Sequence, residues 1–192
     1  STQGYSSAAS DVYKRQNHSR VHFLYLGRIM KEKGIEELFY AVRRLKEENE
    51  DFVLDLAGFF EDIYKKQVEE LEQLGIAHFY GFQSDPRPFY AEADCVVLPS
   101  YHEGMSNVLL EAAATGRPVI TSNIPGCRES VENGKSGLLV EVKNKEMLYQ
   151  AMKKMLHCSR EEREKMGKAG REKMKREFRK EAVVERTVRS LE

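Results

Sequence analysis

Short apolar runs and helical patterns alternate along most of this chain. The runs fall at residues 21–26, 53–57, 77–80, 95–98, 119–121 and 138–140, each bounded by polar or turn residues. Between them, apolar positions recur at helical spacing near 35–48, 63–74, 88–93, 106–114 and 128–131. Strands that alternate with helices predict a parallel sheet covered on both faces, the doubly wound α/β (Rossmann-like) class. The punctuation agrees: Gly58 follows the second run, Gly75 follows a helix, Pro118 precedes a strand, and Asn133-Gly134 precedes another.

From Lys145 onward the pattern is helical throughout. Met147, Ala151, Met155 and Leu156 form one apolar stripe, and Met166, Ala169 and Met174 form another. Dense charge between Arg160 and Lys180 reads as a solvated helix face laced with pairs four residues apart. Its basic excess leaves a membrane-surface patch open as the alternative. A last helix carries Val184, Val188 and Leu191 on one face.

Composition narrows the class. The chain has 192 residues, enough for one packed domain, and 31 basic residues balance 31 acidic ones. With zero net charge no global polyanion partner is implied, and no nucleic-acid partner is expected. The apolar runs are far shorter than the ~20 residues that span a bilayer. Cys95, Cys127 and Cys158 are odd in number and widely spaced, which fits a reduced, cytoplasmic protein. Residues 1–16 are small, polar and unpatterned. Asp11-Val12-Tyr13-Lys14-Arg15-Gln16 back-translates to a transposon adapter used in sequencing libraries. That stretch is therefore read as a disordered tail, a translated adapter without function, with residues 17–192 as one domain of a protein whose N-terminal half is missing here.

The candidate chemistry concentrates in Glu103-Gly104-Met105-Ser106-Asn107-Val108-Leu109-Leu110-Glu111. One carboxylate sits in the turn after an apolar strand and the other inside the following helix, with Ser106 as its expected N-cap. The free N–H groups and positive dipole end between them suit a phosphate. An extended ligand with phosphate at the helix start and hydroxyl-rich groups at either glutamate has the outline of a nucleotide-sugar.

This segment resembles the E-x7-E signature of GT-B glycosyltransferases, in particular the large retaining group called family 4. Further segments fall in the family's order. They are Phe23-Leu24-Tyr25-Leu26-Gly27-Arg28 with Lys33-Gly34-Ile35, Pro99-Ser100-Tyr101-His102-Glu103-Gly104, Glu111-Ala112, Gly116-Arg117-Pro118-Val119-Ile120 and Gly137-Leu138-Leu139-Val140. The resemblance runs from about Val21 to the C-terminus and implies the donor-binding C-terminal half of a hexosyltransferase. Its partners would be a nucleotide-sugar donor, an acceptor domain lying outside this chain, and a polysaccharide or lipid-linked acceptor at the inner face of the membrane.

By that resemblance Gly27 makes the turn that presents Arg28, and Arg28 and Lys33 bind the diphosphate and stabilise the charge that develops as the sugar leaves. Glu103 contacts the donor sugar and supports positive charge at its anomeric carbon. Gly104, Met105, Ser106 and Asn107 offer backbone amides, Glu111 accepts from the ribose hydroxyls, and Phe82 reads the base edge through its backbone. UDP is the expected nucleotide on family frequency alone. No two aspartates stand two positions apart, so the D-x-D metal motif is lacking, and the five histidines are scattered. No cofactor or metal is expected. His102 is expected to pack beside the loop, and Gly126, Arg128 and Glu129 fit either a donor-side segment or a plain turn. A non-catalytic nucleotide-binding module acting with a partner chain is the alternative. A dinucleotide-binding domain is disfavoured, since Gly27-Arg28 replaces G-x-G-x-x-G.

Overall fold

The computed structural model describes residues 20–178. The expectations for residues 1–16, and for the face carrying Val184, Val188 and Leu191, lie outside the described residues.

Six parallel strands form one sheet: β1 (Val21–Leu26), β2 (Phe52–Ala57), β3 (Ala77–Phe79), β4 (Cys95–Leu98), β5 (Val119–Ser122) and β6 (Gly137–Val140). Each predicted run is a strand, with ends that move by a single residue. Their order is β3-β2-β1-β4-β5-β6. Val21 pairs with Phe52, Phe23 with Cys95, Val96 with Val119, and Val119 with Gly137. Near-continuous burial of β2, β4 and β5 explains why these strands read as unbroken apolar runs.

The helices are α1 (Ile35–Glu47), α2 (Asp62–Gln73), α3 (Arg87–Glu92), α4 (Asn107–Ala114), α5 (Lys145–His157) and α6 (Arg160–Glu177). The helix expected near 128–131 is a single 3-10 turn, Arg128–Ser130. Right-handed crossovers send α1 and α2 to one face as the chain winds outward from β1, and α4 to the other as it winds the opposite way. α5 packs against α1 and α6 against α4, so both faces are covered. The core is aromatic and aliphatic: Phe23, Tyr25, Phe39, Phe52, Tyr64 and Tyr149 are all fully buried. Cys95 lies there as a small core residue.

The charged helix α6 behaves largely as a solvated face, with pairs Arg160–Glu164 and Lys173–Glu177 at i,i+4. It starts in a capping box, Ser159 with Glu162. Among the described residues no helix is long and apolar enough to cross a membrane.

The strand order reverses between β1 and β4. At such a switch point the loops leaving the two strands diverge to opposite faces, which opens a crevice beyond their carboxyl ends.

Candidate functional site

One wall of that crevice is the turn after β1. Gly27 N–H donates to Ala57 O at 3.0 Å and Ile29 N–H donates to Phe59 O at 2.7 Å, so the turn continues the β1–β2 ladder. Tyr25 is buried in the core, and its hydroxyl donates to the Arg28 carbonyl at 2.6 Å. Burial raises the Tyr25 pKa far above its ordinary value, which keeps it a donor. The backbone of Arg28 is thus pinned from below while its side chain is exposed. A 3-10 turn at Lys31–Lys33 then precedes α1, so Lys33 closes a turn rather than opening the helix.

The other wall leaves β4. Tyr101 N–H donates to Glu32 O at 2.8 Å, which ties this loop to the 3-10 turn. Lys33 Nζ lies 2.6 Å from Glu103 Oε1, and Ser100 Oγ donates to the same oxygen at 2.8 Å. The Glu103 side chain is only 13% exposed, so its charge is met by a cation and a hydroxyl rather than by bulk water. Cys127 is buried nearby, and that burial pushes its thiol up to about 11, leaving it protonated.

Beyond the loop α4 begins. Ser106 holds the N-cap position with an extended backbone, but its side chain makes no capping hydrogen bond, contrary to expectation. Its own backbone amide donates to the Gly126 carbonyl at 3.0 Å. A side-chain cap would have used an amide of the first turn. The first turn of α4 faces a cleft of ≈ 230 Å³ lined by Leu26, Gly27, Arg28, Lys33, Leu98, Glu103, Met105, Ser106, Asn107 and Val108. Two cations, the positive end of a helix and one carboxylate meet there, an arrangement that favours a ligand with more than one negative charge beside a hydroxyl-bearing group.

Of the residues singled out from sequence, Gly27, Arg28, Lys33, Glu103, Met105, Ser106 and Asn107 converge on the cleft. Gly104 is exposed on the same loop. Glu111 lies one turn further along α4, on its exposed side, where Tyr90 donates to Oε2 at 3.0 Å. Phe82 is set apart beyond β3, stacked on Phe59 with ring centroids 4.9 Å apart and planes 6° from parallel. His102 is exposed instead of packed. Ser100 was missed as a partner of Glu103; the strand-ending Pro99-Ser100 pair, three residues before a glutamate, was the available signal. Among the described residues no three His, Cys, Asp or Glu side chains group so as to hold a metal ion.

Fold and cleft together define a doubly wound domain whose cleft opens at the β1/β4 switch point. Residues 11–173 match the family of group 1 glycosyl transferases, and the chain belongs to that family. It is 30% identical over 166 residues to the capsular polysaccharide biosynthesis glycosyltransferase CapM of Staphylococcus aureus, covering 84% of this chain and 43% of that protein. It is 32% identical over 162 residues to the lipopolysaccharide core biosynthesis glycosyltransferase LpsE of Rhizobium meliloti, covering 83% and 46%. The chain thus spans less than half the length of these relatives. In fold it is similar to the crystal structure of the C-terminal domain of LpcC, a group 1 family glycosyl transferase of Francisella tularensis. The TM-score is 0.71 at 22% identity, over 88% of this chain and 97% of that one.

Proposed function

We propose that this chain is the donor-binding domain of a retaining hexosyltransferase, which moves a sugar from a nucleoside diphosphate to an acceptor hydroxyl in surface polysaccharide or glycolipid synthesis. The observation that carries the reading is the convergence of Arg28, Lys33 and the start of α4 on one cleft beside Glu103. The diphosphate lies against the two cations and the helix amides, and fixed positive charge there stabilises the leaving group without a metal. Glu103 holds hydroxyls of the donor sugar and offsets positive charge at its anomeric carbon. The ribose reaches Glu111 and the base reaches the loop carrying Phe82. UDP is the nucleotide proposed.

The acceptor, a polysaccharide or lipid-linked glycan at the inner face of the membrane, is bound by an N-terminal half outside this chain. On this reading the chain alone binds donor and turns over little or nothing. Three unpaired cysteines support a reducing, cytoplasmic setting. Calorimetric titration of the chain with UDP, GDP and ADP, with and without magnesium, tests the reading. Selective binding of one diphosphate in both conditions is expected, and a folded sample that binds none of the three sinks it.

A further inference from the structure

The loop carrying Glu103 is braced by a segment from another crossover, the one that follows β5. Gly126 N–H donates to Glu129 Oε2 at 2.8 Å, and the Gly126 carbonyl accepts from Ser106 N–H at 3.0 Å. The Gly126 peptides therefore link a carboxylate on one side to the first residue of the α4 cap on the other. The approach is close. A Cβ on Gly126 would come within 1.6 Å of the Gly104 carbonyl oxygen and 2.6 Å of that of Glu103, and φ is +86°. The segment is itself held, since Cys127 N–H and Arg128 N–H both donate to Ile124 O, at 3.2 and 3.0 Å. Ser130 Oγ further donates to Cys127 O at 2.6 Å.

We infer that Glu129 is a positioning residue for the donor cleft, acting through Gly126 to set the orientation of the Glu103–Ser106 loop and of the amides that open α4. This rests on the donor-binding reading of the cleft. The carboxylate is far enough along the chain to reach back to the Gly126 amide, while its other oxygen lies 3.8 Å from Arg128 Nε. A side-chain oxygen that accepts from a backbone amide fixes that peptide plane, provided it has the reach. The plane fixed here is the one whose neighbour touches Gly104. Without the bond, the Pro125–Gly126 peptide loses its tie, and Gly126 shifts together with the carbonyl that holds Ser106 N–H.

The test compares the chain with Glu129→Ala, Glu129→Asp and Glu129→Gln by calorimetric titration of UDP, GDP and ADP, alongside thermal melting. Glu129→Ala and Glu129→Asp are expected to weaken binding of the preferred diphosphate about five- to tenfold, the scale of one net hydrogen bond. Glu129→Gln, which keeps an acceptor oxygen at the same reach, stays within about twofold for the same reason. Glu129→Asp keeps the charge but is one methylene short, so it separates reach from charge and carries the test should Glu129→Ala not fold. Equal affinity in Glu129→Ala and the parent overturns the brace while the donor reading stands. Equal tightening in Glu129→Ala and Glu129→Gln overturns it too, since that is the signature of simple repulsion between Glu129 and the diphosphate. A lowered melting temperature with unchanged affinity makes the contact structural only and also overturns it. A parent chain that binds no diphosphate overturns the donor reading and this inference together.

Discussion

Lys33 and Glu103 stand seventy residues apart in sequence and meet across the cleft at 2.6 Å. The cation proposed for the diphosphate is therefore already engaged by the carboxylate proposed for the sugar. A diphosphate that recruits Lys33 competes with Glu103 for it. Glu103→Gln is accordingly expected to tighten nucleoside diphosphate binding by about 1 kcal/mol, the upper scale of a partly exposed ion pair. In a Lys33→Ala background the same change has no pair to release, so the gain disappears. Four dissociation constants close this double-mutant cycle. If Glu103 acted by repelling the diphosphate alone, the gain would persist in full without Lys33.

Glu111 lies outside the cleft proper, and its partner Tyr90 shows what fixes it. Burial first, and then the adjacent carboxylate, raise the Tyr90 pKa well above the usual phenol value, so the hydroxyl stays a donor to Glu111 Oε2. A carboxylate steadied in this way suits a pair of neighbouring ribose hydroxyls. Glu111→Ala is expected to weaken nucleotide binding by about 1.5–3 kcal/mol, the range for hydrogen bonds to a charged group. The loss should shrink when the titrant is the 2′-deoxy nucleotide. Equal losses with both nucleotides would remove the ribose from Glu111.

Gly58 carries the turn after β2, and its conformation is bound to that of Gly27. Its φ is +146°, and a Cβ there would lie 1.9 Å from the Gly27 carbonyl oxygen. Gly58→Ala must therefore push the Gly27-Arg28 turn away from β2. We expect a loss of about 1–3 kcal/mol in urea unfolding, the cost of a strained backbone site. Diphosphate affinity should fall as well, because Arg28 moves with the turn. A folded variant with unchanged affinity would show that the position of Arg28 is immaterial to binding.

The sheet was legible because a strand buried on both faces needs a continuous apolar run, and Cys95-Val96-Val97-Leu98 is one. The cleft was legible in part because its residues follow strands β1 and β4 directly, so local sequence places them at the carboxyl edge. Ser106 shows the limit. A serine before a helix predicts a side-chain cap, which Ser106 does not make, and its amide donates to the Gly126 carbonyl, twenty residues away, a contact that no local pattern announces. Arg128–Ser130 failed as a helix for a related reason: Val131 is already extended, so the turn ends after three residues. Glu129 was readable as part of a donor-side segment or of a plain turn, and the contact of its partner Gly126 with Ser106 becomes visible only once β5 and β4 are set side by side.

A last consequence follows from β1 and β2 away from the cleft. His22 Nδ1 lies 2.8 Å from Asp55 Oδ2. The hydrogen bond to Asp55 outweighs burial and, helped by the charges of Asp55, Asp94 and Glu92, raises the His22 pKa above 6.5. Tyr80 donates to the other Asp55 oxygen at 3.1 Å, and His78 Nδ1 stands 3.6 Å from it. Since the folded state holds the proton more tightly than the unfolded one, the contribution is fully present below pH 6.5. It is lost as pH rises through the raised folded-state value. Urea midpoints measured across this range should therefore fall with rising pH in the parent chain, and His22→Gln should flatten that dependence. Parallel curves for the two proteins would assign the titration to another group.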